Sequence, residues 1–323
     1  MRPVYRDEPC RTALNRVRKM GFKWSLNPYM GCVHQCTFCF VRAFERMADR
    51  PSDSRYGTSI RVKTNLVEVL RRELARRSWQ REQVVVGTAM DPYQPAEGRY
   101  RLTRGAIEAL ADASTPIGLI TRGPLIVRDV DVLVEASRRA KVGVTFSIPT
   151  LDGDIWRRTE PGTAPPRQRL RAIRTLIDAG VDASVGMAPI LPGLSDDPAK
   201  MADVVRAARD AGATSIWANV LYLRPGTREH FLESLARDWP ELLPRYHALY
   251  EGRSYVEKSV VGAVKGEIRD LAASHGIADR RSRPVTPRTP SADPLAEQLP
   301  LMTFATSPST RAAAEGSVAR PSR

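Results

Sequence analysis

Between residues 22 and 222 the chain repeats one pattern: a short apolar, β-branched run followed by a helical stretch. The six runs are Phe22 to Asn27, Val84 to Val86, Ile117 to Thr121, Val142 to Ile148, Val181 to Ile190 and Ser215 to Tyr222. Short runs that are apolar throughout read as strands buried on both faces, the environment of a parallel sheet. Helical patterns over Phe40 to Ala48, Thr103 to Ala113, Val130 to Ala140, Arg167 to Ala179 and Asp197 to Ala211 supply the crossovers. Thr103 reads as a cap, and Gly180 and Gly212 as stops. About six βα units are too few for a closed eight-unit barrel and suit an open, partial (β/α)6 barrel of the TIM type.

That barrel is expected to occupy residues 21–226, after an N-terminal extension at 1–20. Residues 227–280 read as a helical C-terminal cap. From Arg281 onward Pro, Ser, Thr, Arg and Ala dominate and apolar periodicity vanishes, so 281–323 is expected to be a disordered tail. No apolar run approaches the roughly 18–20 residues that cross a bilayer, so no membrane is expected as a partner. The opening residues carry Arg2, Arg6, Asp7 and Glu8 with no apolar core, which argues against a signal peptide and for a cytoplasmic protein.

Three of the four cysteines, Cys32, Cys36 and Cys39, fall within eight residues. Disulfide frameworks do not use so tight a spacing, whereas metal sites do. A [4Fe–4S] cube normally takes four cysteine thiolates, so three on one loop leave one iron open to a small chelating molecule. His34 lies inside the loop and opens a Cys3His zinc site as the alternative. Zinc ribbons usually draw on two separated ligand pairs, however, and the sequence has no second pair. Cys10 stands apart and reads as a free thiol near the N-terminus.

The stretch from Asn27 to Cys39, NPYMGCVHQCTFC, resembles the CxxxCxΦC signature of the radical S-adenosylmethionine (SAM) superfamily, with Phe38 as its aromatic beside the cofactor. The resemblance implies that Cys32, Cys36 and Cys39 hold a [4Fe–4S] cluster whose open iron binds the amino and carboxylate groups of SAM. One electron then cleaves SAM to methionine and a 5′-deoxyadenosyl radical. A partial (β/α)6 barrel with its chemistry at the C-terminal strand ends is implied too, as is an electron donor of the flavodoxin or ferredoxin type. A narrower likeness covers most of Gly21 to Tyr222. Gly87 to Glu97, GTAMDPYQPAE, is similar to the GTxxDPYxPxE block of the spore photoproduct lyase-like (DNA repair photolyase-like) branch. Thr121-Arg122, Val127-Arg128-Asp129, Thr145-Phe146-Ser147, Glu160-Pro161 and Ala188 to Gly193 fall where that branch has similar blocks.

Each block also has a reading from its own chemistry. Gly87 and Thr88 end a buried strand, where exposed backbone and a hydroxyl suit the methionine amino group of SAM. Arg122 offers a charge-assisted fork for a carboxylate. Ser147 ends a strand near the ribose or carboxylate. Ala188, Pro189 and Ile190 form an apolar wall for adenine, which Leu221 and Tyr222 extend. Asp91 and Tyr93 are the candidates on the substrate side. Plainer readings stand beside these: Ser147 as a strand end, Ile190 as core, Asp91 before Pro92 as a turn residue, and Tyr93 as packing.

One departure bears on the reaction. Photoproduct lyases carry a hydrogen-returning cysteine on the strand that leads to the Asp-Pro pair, where this sequence has Gly87-Thr88-Ala89-Met90. Thymine-dimer reversal is therefore not carried over, and Tyr93, Tyr100 and Tyr222 become the candidates to handle a radical. The net charge of +14, mostly from arginine, suggests a polyanion such as DNA or RNA. An Arg- and Ala-rich genome would give the same bias, with faces such as 71–77 merely solvated. Two other functions stay open: radical SAM chemistry on a peptide or small molecule, and a zinc-bound nucleic-acid-binding protein without catalysis. In the tail, Gln298 to Met302, with Phe304 close by, resembles the QLxLF-type peptide by which bacterial repair proteins dock on the DNA sliding clamp.

Overall fold

The computed structural model describes residues 3–18 and 20–279. The candidate clamp peptide Gln298–Phe304 lies outside the described residues, as does the tail from Arg281. The chain opens with β1 (Val4–Asp7), β2 (Leu14–Arg16), β3 (Trp24–Leu26) and β4 (Tyr29–Met30), then α1 (Val41–Met47), β5 (Ser59–Val62) and α2 (Leu66–Leu74). Next come β6 (Val84–Val86), α3 (Ala96–Tyr100), α4 (Leu102–Asp112), β7 (Ile117–Thr121), α5 (Val130–Arg139), β8 (Val142–Ser147), α6 (Gly153–Thr159) and α7 (Pro166–Asp178). It finishes with β9 (Asp182–Ile190), α8 (Pro198–Asp210), β10 (Ser215–Val220), α9 (Thr227–Asp238), α10 (Leu243–Leu249), α11 (Lys258–Ser274) and β11 (Ala278–Asp279).

The main sheet has eight strands in the order β11-β10-β9-β8-β7-β6-β3-β2. Every neighbouring pair from β3 to β11 is parallel, and β2 adds an antiparallel edge. The six runs expected from sequence are β3, β6, β7, β8, β9 and β10, with ends shifted by a residue or two. Helices separate each successive pair, so this is the partial barrel the alternation implied. All three residues of β6 are buried, and each such valine contributes about 1.5–3 kcal/mol by leaving water. Parallel order also brings the C-terminal ends of all six strands to one rim, where β3 runs into the cysteine loop.

Both flanks are more integrated than the sequence suggested. β1 pairs with β5, which in turn pairs with β4 just before the cysteine loop. Cys10 is tied through its backbone to the Asn65 amide, donating at 2.8 Å and accepting at 3.1 Å. At the other flank, α11 packs on β10 and α8, and β11 extends the sheet beside β10. The last helix thus belongs to the barrel's outer layer. No described helix is long and apolar enough to cross a membrane.

The expected cap of α4 needs correction. Thr103 sits inside its first turn, with its hydroxyl donating to the Pro92 carbonyl at 2.7 Å. The capping oxygens belong to Glu97, which accepts from the Thr103 and Arg104 amides at 2.9 and 3.2 Å. Glu97 is fully buried, and Tyr29 and Arg128 also donate to its carboxylate. A lone threonine could not serve all four donors. Glu97→Gln turns one acceptor into a donor facing donors, and should lower unfolding stability by about 2 kcal/mol in urea denaturation.

Candidate active site

The cysteine loop leaves β4 at Met30 and enters α1 at Val41, and distant parts of the chain hold it down. The buried Gln94 amide works in both directions: its oxygen accepts from the Val33 amide and its nitrogen donates to the Gly31 carbonyl, each at 3.1 Å. From the other side, the Thr37 amide donates to the Thr159 carbonyl at 2.9 Å, and the Gly162 amide to the His34 carbonyl at 3.0 Å. Two glycines make this closeness possible. A Cβ on Gly57, whose φ is +81°, would stand 2.3 Å from the Cys32 carbonyl oxygen. One on Gly162 would stand 2.4 Å from the Val33 carbonyl oxygen and 2.8 Å from the His34 Cα. Gly162→Ala must therefore displace the loop although it removes no ligand. The variant should bind less iron after reconstitution than the parent, read by iron and sulfide analysis, while its far-ultraviolet dichroism stays unchanged.

All three loop cysteines are free thiols, Cys32 and Cys36 buried and Cys39 partly so. Burial pushes the Cys36 thiol well up, against the pull of the Arg122 charge, and likewise raises Cys39. Metal ligation deprotonates such thiols outright, so loading the site releases protons. Among the described residues no three His, Cys, Asp or Glu side chains converge as a single ion requires. A cube asks for less convergence, because each thiolate meets its own iron. Around Cys39, the Tyr56 hydroxyl lies 3.7 Å from the sulfur, and Arg42 stacks on the Tyr56 ring at 4.7 Å.

Behind the loop lies a buried polar network centred on Asp91. Its Oδ1 accepts from the Thr121 hydroxyl at 2.6 Å and the Tyr93 amide at 2.9 Å. Its Oδ2 accepts from the Arg122 amide at 2.6 Å and stands 3.4 Å from His34 Nδ1. Burial opposes charge on both side chains, yet the pair sustains it. His34 is raised to about 10 by the Cys32 and Asp91 charges, and Asp91 is lowered to about 2 by His34, Thr121 and the Arg122 amide. His34 thus lies between the Asp91 carboxylate and Cys32.

A second buried pair sits beside it. Glu160 and Arg169 are 1% and 0% exposed and meet at 2.6 Å, and Glu160 also accepts from Arg122 Nε at 3.2 Å. Burial works to raise Glu160, but Arg169 and Arg122 outweigh it and hold the carboxyl below its usual range. The Arg122 guanidinium spans Glu160, the Ala188 carbonyl at 3.3 Å and the Phe38 ring at 5.7 Å. The hydrogen bonds to Glu160 and Ala188 use Nε and Nη2; Nη1 makes none to a described residue. A cation, an aromatic face and a carbonyl therefore meet next to Cys36.

Comparison with known proteins places this arrangement. The sequence signature of the Radical SAM superfamily matches residues 26–205, more than half of the chain. The chain belongs to the radical SAM superfamily. An uncharacterized protein of Mycobacterium tuberculosis (strain ATCC 25618 / H37Rv) is 38% identical over 292 residues, covering 90% of this chain and 86% of its own. Another, from Acidianus two-tailed virus, is 27% identical over 268 residues, covering 75% and 85%. Among solved structures, a spore photoproduct lyase mutant with bound AdoMet and dinucleoside spore photoproduct superposes with a TM-score of 0.66. The match spans 84% of this chain and 79% of that one at 14% identity, which shows a shared fold. A spore photoproduct lyase complexed with dinucleoside spore photoproduct gives 0.65 at 15% identity.

For a radical SAM enzyme, the expected site residues fall into two groups. Cys32, Cys36, Cys39, Phe38, Arg122 and Ala188 gather at the rim. The Thr88 hydroxyl accepts from the Asn27 side-chain amide at 3.2 Å, and Ser147 ends β8 with its carbonyl accepting from Arg169 at 2.7 Å. Gly87 is buried, and its amide is already spent on the Leu26 carbonyl at 3.1 Å. Ala188 and Pro189 are half-buried, whereas Ile190 is wholly core. The two substrate-side candidates, Asp91 and Tyr93, are both buried. Asp91 has both oxygens engaged and positions His34 and Arg122. Tyr93 is 2% exposed within the main core, its hydroxyl beside Asp129 and Glu97. Gln94, Gly57, Gly162 and the Glu160–Arg169 pair are the working residues that the sequence reading missed as such. Only Gln94 and Glu160 lay inside blocks it quoted.

Proposed function

We propose that this radical SAM enzyme holds a [4Fe–4S] cluster on Cys32, Cys36 and Cys39 and acts on a nucleic-acid substrate. The observation that carries the reading is the rim itself: three free thiols on a clamped loop, with Arg122 and Phe38 beside Cys36. A cluster held by Cys32, Cys36 and Cys39 would supply the single electron needed for reductive cleavage of the SAM sulfonium to methionine and a 5′-deoxyadenosyl radical, the species that would take hydrogen from the substrate. The protein's part is positional. Arg122 Nη1 binds the SAM carboxylate, Thr88 accepts from its amino group, and Ala188 with Pro189 packs against adenine. Asp91 and Glu160 keep Arg122 in place, and the second apolar cluster around Cys36, Phe38, Leu191 and Leu221 keeps water out.

The nucleic-acid assignment rests on the net charge of +14 and on the fold shared with a lyase that binds a dinucleoside photoproduct. Dimer reversal by a returning thiol is not part of the proposal. Cys10, the one cysteine outside the loop, is held beside Asn65 at the start of α2. Anaerobic reconstitution with iron and sulfide, then dithionite and SAM, should yield 5′-deoxyadenosine. Single-stranded DNA or RNA should accelerate it, with binding that weakens steeply as salt rises. A colourless zinc protein that never cleaves SAM would sink the reading. Acceleration by a peptide or small molecule, with no response to nucleic acid, would replace the substrate class.

A further inference from the structure

A cavity of about 240 Å3 opens beside the cysteine loop, walled by α1, α6 and α9. Gln35 and Thr37 form part of its lining. Cys36, between them, and Phe38, next to Thr37, belong instead to the apolar cluster that continues into the barrel rim. Alternate residues of the loop thus serve different spaces: one holds the cluster and SAM, the other is this cavity. The Arg122, Phe38 and Ala188 surface contributes nothing to its lining.

The chemistry of the cavity is cationic. Arg157 and Arg158 enter from α6 and Arg237 from α9; Asp238 is the one acidic residue in the lining, and Asp154, outside it, pairs with Arg158 at 3.2 Å. Asp238 pairs with Arg237 at 2.6 Å, and Arg157 has only a loose 3.8 Å contact with Asp154. Deeper in, Arg42 is 1% exposed, and its Nε is buried without a hydrogen-bond partner. The other wall carries His230, whose pKa is pushed down to about 4 by burial and by the Arg42 and Arg237 charges. Such a site holds unspent positive field and donors for anionic groups.

We propose that this cavity is the docking site of an acidic one-electron donor protein that reduces the cluster through the Gln35–Thr37 segment. The inference rests on the reading that the loop carries a cluster. The donor is oxidised by one electron and the cluster is reduced by one, with no other co-reactant. Two observations favour a donor over a substrate strand: the lining excludes Arg122, Phe38 and Ala188, and it includes Gln35 and Thr37, the residues on either side of Cys36. Exposed arginines at such a rim act mainly on encounter rate and salt dependence.

The reconstituted protein and its Arg157→Glu/Arg237→Glu variant are titrated with a bacterial flavodoxin at low and moderate salt. Cluster bleaching is then followed in stopped flow with photoreduced flavodoxin and with dithionite. The variant should bind flavodoxin about tenfold more weakly at low salt, by a margin that shrinks as salt rises. Its bleaching by flavodoxin should slow while bleaching by dithionite stays the same. Arg157→Gln/Arg237→Gln should fall between. Unchanged flavodoxin affinity and bleaching overturn the proposal. So does loss of single-stranded DNA binding with flavodoxin unaffected, which would make the cavity a grip for backbone phosphates. If the parent shows no bleaching even with dithionite, the cluster reading fails, and the flavodoxin titration still decides the docking.

Discussion

Cys36→Ala, reconstituted anaerobically, is expected to lose its iron–sulfur absorption. SAM cleavage should fall at least about a thousandfold, equivalent to roughly 4 kcal/mol of barrier. Cys36 is the middle thiol of the loop and lies in the apolar cluster with Phe38, close enough to Arg122 to feel its charge. Alanine there leaves two thiolates for the cube and exposes a second iron. The fold itself should survive, because the loop is held by Gln94, Thr159 and Gly162 rather than by the sulfur. Cys10→Ala is the matching control, since Cys10 is a free thiol tied to Asn65 through its backbone alone. It should keep full iron content and cleavage. Equal losses in the two variants would mean that the thiols act on stability and not as ligands.

Arg169→Met should cost about 3 kcal/mol of unfolding stability, because it removes the nearer of the two cations that hold the buried Glu160 carboxylate and leaves only Arg122. In a protein of this size that lowers the melting temperature by roughly 10 °C. Arg169 is one of the largest fully buried side chains and also donates to the carbonyls of Ala164 and Ser147. Two further acceptors are therefore orphaned. The sign of the pH dependence follows from Glu160. Its carboxyl lies below the usual range in the folded protein, so its stabilisation is complete above the ordinary glutamate value of about 4.3. It is lost as pH falls through the folded value. The gap between parent and variant, measured by thermal unfolding, should be widest near neutrality and close in acid. A gap that grows on acidification would contradict the assignment.

What could be read from sequence was what depends on neighbours along the chain. β6 was legible from three consecutive valines, and the superfamily from the cysteine spacing, because both signals are local. The clamp was not. Gln94 reaches the Val33 amide across 61 positions, and the Thr37 amide meets the Thr159 carbonyl across a still longer stretch of chain. No periodicity encodes such a meeting. In the Asp-Pro-Tyr block the spacing showed a carboxylate but not its surroundings: Tyr93, Thr121, Arg122 and His34 all meet Asp91, and three of the four come from other parts of the chain or the loop. Val127-Arg128-Asp129 was similarly found by resemblance, and it belongs to the network that anchors Glu97 behind the barrel. α6 went unread because a seven-residue helix shows too little period. Its Asp152 cap, accepting from the Asp154 and Ile155 amides, was the signal available.

The order in which the clamp is assembled has a bearing on biogenesis. All three loop cysteines leave the ribosome before Gln94, Thr159 and Gly162, with Gly162 several seconds behind them at about 5–20 residues per second. Until Gly162 is in place the thiols lie on an unshaped segment, open to stray metal and to oxidation. Iron delivered to the nascent chain would meet the right ligands in the wrong geometry. The architecture therefore favours maturation after release, with the scaffold complete before its inorganic cargo arrives.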